Sequence, residues 1–494
     1  MVARGQEAAA LAVHRFGLGP AGDTIAAIAS DPRGALLAEL GRPQAGAVPA
    51  TGLPTSSQAA RAVFEFRAEQ RAEKKLEQRR IKEAEARGGN FSLSDIADAM
   101  AINVPLARSG PNRLPPLPQQ IIQAEAETRF NAAVGADIGF VERLVWFWSN
   151  HFCISADKIP EMAGAYEREA IRPHVLGRFG DMLQAVESHP AMLFYLDNVQ
   201  SMGANSIAGI NRDRGLNENL ARETLELHTL GVRSGYSQTD VTSFAKVLTG
   251  WTWIEPGEPI HGGEFVFNKR LHERGEQTVL GKHYREAGVD QGRAVLADLA
   301  RHPATAQHIA HKLARHFVAD EPPPPLIAKL VKTFHDTDGD LNQVARTLVT
   351  ADESWTPQRT KLKSPAEWMV GVLRLAGTMP TRPGDGDIHL AARRWPSVGR
   401  VLNFQAALGE ALWRPPAPNG YPDADAAWLD GVPRRLDVAN EFAGRLRPQT
   451  DPLELVDRGL GPLASAATRQ TVARAESRAQ AFALLVMAPE YLRR

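Results

Sequence analysis

The segment Asn217–Gly231, NENLARETLELHTLG, constrains this chain more than any other, because it sets charged side chains into what otherwise reads as a buried helix. At about 100° per residue, Leu216, Leu220, Leu227 and Leu230 fall on one stripe, with Glu223 in its middle. A carboxylate there must find a partner, take up a proton or do chemistry, because burying an unpaired charge costs several kcal/mol or more. Glu218, Arg222 and Glu226 stand four apart on the same helix, so Arg222 can bridge both carboxylates as an ordinary intrahelical ladder. Asn219 and Glu226 project beside the Glu223 stripe. His228 points away from Glu223 on an ideal helix and joins it only if the helix ends near Leu227 and the chain turns. Glu223 lies off the ladder. Burial raises the pKa of a carboxyl group that lacks a cation or several donors, which suits a general acid or base.

A second constellation is FVERLVWFWSNHF at 140–152. Phe140, Leu144, Phe147 and His151 share one helical face, so His151 sits at the end of an apolar stripe, where a histidine can satisfy carbonyls. Asn150 beside it and the tryptophans at 146 and 148 fit a pocket wall. Three weaker signals are His-rich or acidic. His308, His311 and His316 lie on one helix, but Lys312 and Arg315 would repel a cation, so a surface helix is expected. DTDGD at 336–340 lacks the later glycine and glutamate of a calcium loop and reads as a helix-capping turn. His272, Glu273 and His283 flank an irregular stretch that follows Trp251 and Trp253, aromatic side chains that could cover a carbohydrate.

Helical periodicity dominates elsewhere. Arg61–Arg87 reads as an intensely charged helix, with Glu65, Glu69, Glu73 and Glu77 on one stripe and Arg67, Arg71, Lys75 and Arg79 on another, solvated or bridging. Gly88-Gly89 ends it, and a proline-rich break covers Pro111–Pro118. Ser237 and Asp240 form a capping box opening a helix over Gln238–Thr249. Residues 251–285 carry the best β pattern, Thr378–Asp387 and Arg414–Gly431 interrupt the C-terminal helices, and AFALLVMAP reads as a buried helix. Three regions follow: 1–110 with the charged helix, a helical core over 111–350 carrying the signature segment, and helices over 351–494. The fold class expected is mainly α, a large multi-helix body with a small irregular or β element at 251–285.

Lys plus Arg equals Asp plus Glu at 57 each, so no global field draws nucleic acid. No apolar run reaches the 18 or so residues of a membrane span. The single Cys153 excludes an internal disulfide and a thiolate-cluster metal site. The start shows no continuous apolar leader, so the chain as written reads as cytoplasmic, with export requiring a leader removed from it. No GxSxG, Walker loop, GxGxxG after a strand or HExxH occurs, so no nucleotide or flavin cofactor is expected, while a divalent metal stays compatible.

The run NENLARETLELHTLGV followed by YSQTDVTSFAKVLTGWT resembles the signature of a large bacterial family, the domain of unknown function 1800. HRFGLGP, WFWSNHF, HPAMLFYLDN at 189–198, HPATAQHIAHKLARHF at 302–317, KSPAEW at 363–368 and APEYLRR follow the family's order. The chain departs from it at Glu273, where an aspartate is usual, and at Tyr421, where a tryptophan follows the glycine. The resemblance implies gene neighbours that are sulfatase-like proteins, and relatives that are often exported. The function expected is a hydrolase or lyase acting on a polysaccharide or similar polymer. Glu223, Glu226, His228 and His151 would serve catalysis, and Arg222, Asn219, Asn150, Trp251 and His272 would bind substrate. The alternative is a non-enzymatic helical scaffold that binds a partner such as the sulfatase-like protein, through the charged helix.

Overall fold

The computed structural model describes residues 2–86, 115–210, 215–380, 396–446 and 450–494. The Gly88-Gly89 stop, the first part of the break at 111–118 and the 381–387 part of the later loop lie outside the described residues. Helices dominate, and the β structure among the described residues is two antiparallel ribbons and two isolated bridges. This is the mainly α body with a small β element that the periodicity indicated.

Local chemistry explains most helix starts. The Ser237 hydroxyl accepts from the Asp240 amide at 3.2 Å while the Asp240 carboxylate accepts from the Ser237 amide at 2.8 Å, closing the capping box of the Gln238–Leu248 helix. Both His-Pro-Ala sequences work in one way: Nδ1 of His189 accepts from the Ala191 amide, and Nδ1 of His302 from the Ala304 amide, each at 3.1 Å. Proline then occupies the first helical position, where no amide is needed. In DTDGD, Asp338 and Gly339 turn through positive φ, and Asp340 caps the Leu341–Thr350 helix by accepting from Gln343 at 3.0 Å. In the ribbon over 251–267, Trp251 pairs with Phe267 and Trp253 with Phe265.

One buried apolar cluster runs from Ala9 to Leu492, so the three regions read from the sequence share a core. Phe16, Phe140 and Phe317 meet edge to face at 5.7 and 5.5 Å, which locks the Phe140–His151 helix against the Pro303–Phe317 helix. Arg172 grips Glu142 at 2.8 Å and Glu167 at 3.0 Å, and Arg129 also reaches Glu167 at 3.0 Å, all wholly buried. Removing one partner of such a network costs about 3–5 kcal/mol, so it pins the segments it joins. The charged helix spans Ser56–Ala86 and is a bridging one at its start. Ala59, Ala60 and Val63 are buried, Arg61 donates to the Gly262 carbonyl at 2.9 Å, and Arg67 faces Glu161 at 3.4 Å.

Candidate functional site

The signature segment begins as the α-helix Asn219–Glu223 and widens at once into a π-helical turn over Thr224–His228. Such a turn spreads its residues more widely than 100° steps and leaves carbonyls without α-type partners, which is why π turns collect at functional positions. Two threonines satisfy those carbonyls here: Thr224 Oγ1 donates to Leu220 O and Thr229 Oγ1 to Thr224 O, each at 2.6 Å. The widening changes which residues face the core. Leu220, Ala221, Thr224, Leu225 and His228 are buried, while Glu223 and Leu227 are only half-buried. Glu223 therefore stands at the edge of the core, and His228 enters it by the widened turn, where the sequence had required a helix end near Leu227.

His228 is held from the far side of the core. Its Nδ1 meets Glu187 Oε1 at 2.6 Å, with the two side chains 1% and 0% exposed. Its backbone carbonyl accepts from His151 Nε2 at 3.1 Å. A carbonyl can only accept, so Nε2 of His151 carries the proton and Nδ1 is left as an acceptor, taken by Lys312 Nζ at 2.8 Å. Burial, and then the Lys312 charge, hold His151 well below the usual histidine range, which keeps the ring neutral. The His151 ring packs between Phe147 and Phe152 and lies 6.3 Å from the His228 ring and 6.0 Å from that of His308.

Among the described residues the Glu223 carboxylate has no hydrogen-bond or ion-pair partner. Burial raises its pKa, Glu226 adds to the rise, and His228 and Arg222 oppose it. The ladder beside it is formed, with Arg222 3.0 Å from Glu218 and 3.8 Å from Glu226. Asn219 is exposed at the rim. Cys153 lies within electrostatic reach of both Glu223 and Lys312; its thiol donates to the Pro418 carbonyl at 3.1 Å, and burial pushes it up to about 12, so it stays protonated.

The Pro303–Phe317 helix supplies what the sequence reading passed over. The expectation of a surface helix holds for His311, which is exposed, but not for His308, Lys312 and His316. Spaced four apart, these three run down one line beside the buried stripe of Ile309, Leu313 and Phe317. His308 Nε2 meets the Leu227 carbonyl at 3.2 Å, Lys312 meets His151, and His316 Nδ1 meets Asp423 at 3.1 Å. Burial lowers His308 and His316 to about 4 and Lys312 to about 8. The i, i+4 spacing was the available signal, and the charge-repulsion argument hid it.

Asn150 is spent on structure: its Nδ2 donates to Tyr421 O at 2.9 Å and its Oδ1 accepts from Tyr421 N at 2.7 Å, which pins the 420–423 loop to the helix carrying His151. Next to Asn150 and Cys153 lies a cavity of about 60 Å³ walled by Trp146, Trp413 and Glu410, and burial raises the Glu410 carboxyl to about 7. Beyond Tyr421 a groove of about 310 Å³ opens beside Trp428. Trp251 and His272 are not in this group. Trp251 is 1% exposed, and a Cβ added at Gly292 would lie 2.6 Å from its ring, so it packs in the core and has no open face for a sugar. His272 is buried, with Nδ1 on the Thr249 carbonyl at 2.8 Å, and Glu273 accepts from Asn205 Nδ2 at 2.6 Å to dock its own loop.

Among the described residues no group of three or more His, Cys, Asp or Glu side chains is placed to hold a metal ion, and no helix is long and apolar enough to cross a membrane. What the cluster offers is proton transfer: an unpartnered carboxyl group, a histidine held by a buried glutamate and a weakly basic amine. The chain belongs to the family described as protein of unknown function (DUF1800), which matches residues 11–493. No curated protein and no solved structure matches it.

Proposed function

We propose that this protein is an acid–base enzyme, a hydrolase or lyase acting on a polysaccharide or similar polymer, with Glu223 as the general acid or base. The observation that carries the reading is the state of Glu223: half-exposed, without a partner among the described residues, and raised in pKa by burial. A group that protein donors do not occupy is free to exchange a proton with a substrate, and a raised pKa brings it nearer to working pH. His228 shuttles the proton, held in place by Glu187. Neutral His151 positions Lys312 and carries no charge itself. Arg222 and exposed Asn219 line the approach to Glu223 and suit the hydroxyl or anionic groups of a polymer. Glu226 is tied to Arg222 and acts through the field it adds at Glu223.

The test is a panel of polysaccharides digested by the whole chain and by Glu223→Gln, with products read by mass spectrometry. Hydrolysis adds water to each cut, whereas elimination leaves an unsaturated end. The variant should lose about 10²–10⁴ in rate, the usual worth of a positioned acid or base. Its fold should not weaken at pH 7, because burial disfavours the charge that the substitution removes. Undiminished cleavage by the glutamine variant sinks the reading. A second reading, docking of a sulfatase-like partner, is favoured by the charged helix, on whose exposed side Leu76 stands 56% exposed. Charge reversal along 61–83 that abolishes co-purification with such a protein, while Glu223→Gln leaves it intact, would select that reading.

A further inference from the structure

Lys312 is placed unlike the lysines that pair with carboxylates. Lys158, Lys282, Lys329 and Lys332 each face a carboxylate, with Asp197 at 2.6 Å from Lys158 and Glu353 at 2.9 Å from Lys329. Lys312 has no carboxylate within ion-pair distance among the described residues, and its hydrogen-bond partner is His151 Nδ1. That acceptor is neutral, and its tautomer is set by the His228 carbonyl. One other lysine repeats the arrangement. Lys363 Nζ meets His14 Nδ1 at 2.9 Å, and His14 Nε2 meets the Gly459 carbonyl at 3.0 Å. Lys363, however, is 2% exposed and sits under the Tyr491 ring at 4.2 Å, whereas Lys312 keeps part of its surface. The two share a chemistry, and Lys312 is the one whose side chain is not wholly covered.

We propose that Lys312 is a covalent site for a small aldehyde or ketone, its amine condensing with the carbonyl group to an imine while His151 Nδ1 holds Nζ in place. The Nζ lone pair attacks the carbonyl carbon, the C–O π pair becomes a hydroxyl by taking a proton, and loss of that hydroxyl with the remaining N–H proton leaves C=N and one water. No oxidant or reductant enters, and water reverses the step. The inference is independent of Glu223 and goes beyond the proposed polymer chemistry.

The groups around the amine agree with this. His151 and His308 face Lys312 as neutral rings, Cys153 as a protonated thiol and Asp423 as an anion beyond ion-pair distance. Burial without a close counter-ion lowers the amine to about 8, the accepted route to a nucleophilic lysine. At pH 7.5 about a quarter of such an amine is free, against roughly 0.1% for a lysine near 10.4. After a roughly tenfold lower intrinsic reactivity of the weaker base, a net advantage of about twentyfold remains.

The experiment treats the folded full chain with glyceraldehyde and sodium cyanoborohydride at pH 7.5, which reduces any imine to a stable secondary amine, and maps the labelled lysines by peptide mass spectrometry. Lys312 should label about twentyfold faster than the exposed, carboxylate-paired Lys329 and Lys332, and Lys363 should stay unlabelled until the protein is unfolded. Lowering the pH from 8.5 to 6.5 should slow the Lys312 label in step with protonation of one group near pH 8. Lys312→Arg should remove the fast label and leave the rest. Labelling of Lys312 no faster than Lys329 and Lys332 overturns the proposal, as does a fast label that survives in Lys312→Arg; if that variant fails to fold, the wild-type map decides alone.

Discussion

Replacing Asp423 by asparagine removes the carboxylate that anchors the lower end of the Pro303–Phe317 helix. Asp423 accepts from His316 Nδ1 at 3.1 Å and faces Arg494 Nη2 at 3.4 Å and Lys361 Nζ at 3.5 Å. Lys361 and Arg494 are each 1% exposed, so neither can turn to water when the anion goes. Removing one partner of a buried ion pair costs about 3–5 kcal/mol. Both cations keep a second carboxylate beside them, Lys361 with Asp320 at 2.7 Å and Arg494 with Glu367 at 3.0 Å. The loss at pH 7 should therefore sit at or below the lower end of that range, about 2–3 kcal/mol. For a chain of 494 residues, an unfolding entropy of about 2.1 cal/mol/K per residue turns this into a fall of roughly 2–3 °C in Tm.

The pH dependence gives a sharper test. Against the upward push of burial, His316, Arg494 and Lys361 hold Asp423 well below the usual carboxylate range. A carboxyl group depressed in the fold stabilises it above its unfolded value near pH 4, and that contribution fades as the pH falls towards the folded value. The gap between wild type and Asp423→Asn should be full at pH 7 and pH 5, then close by about 1.4 kcal/mol for each unit below pH 4. Urea titrations followed by circular dichroism at pH 7, 5 and 3.5 measure it. A gap under about 1 kcal/mol at pH 7, or one that widens on acidification, refutes the argument that Asp423 is the shared anion of this cluster.

Two further substitutions probe the π turn. Thr229→Val removes the donor to the Thr224 carbonyl and should cost about 1–2 kcal/mol in urea unfolding; an unchanged midpoint would mean that the carbonyl needs no such partner. Gly231→Ala meets both a φ of +92° and a Cβ site 2.9 Å from His308 Nδ1, whereas Gly235→Ala meets a φ of +99° with nothing within 4 Å. Gly235→Ala should cost about 1–2 kcal/mol for the left-handed backbone alone, and Gly231→Ala should cost more and displace His308, seen as a shifted His308 resonance; equal losses would remove His308 from the account.

The local part of this structure is written in the sequence because it depends on neighbours a few residues apart. The capping box at Ser237 and Asp240, the Glu218–Arg222–Glu226 ladder and the turn at DTDGD are all relations of two to four positions, and each forms where its spacing places it, while the charged helix read from Arg61 starts five residues earlier, at Ser56. Glu223 and His151 were legible as polar groups set into apolar stripes. His228 was placed conditionally, because ideal 100° steps cannot show a π turn that two threonine hydroxyls make tolerable. What meets His228, His151 and His316 was decided by packing alone. Glu187 reaches His228 across 41 residues, Lys312 reaches His151 across 161, and Asp423 reaches His316 across 107. No periodicity encodes such pairs, since they exist only after the Phe16, Phe140 and Phe317 contacts have brought their helices together. The same burial that makes those contacts favourable shifts the pKa of the side chains it encloses, so the sequence determined which residue types were present, while tertiary desolvation moved Glu223 up and Lys312 down, and the cations packed around Asp423 moved it down against burial.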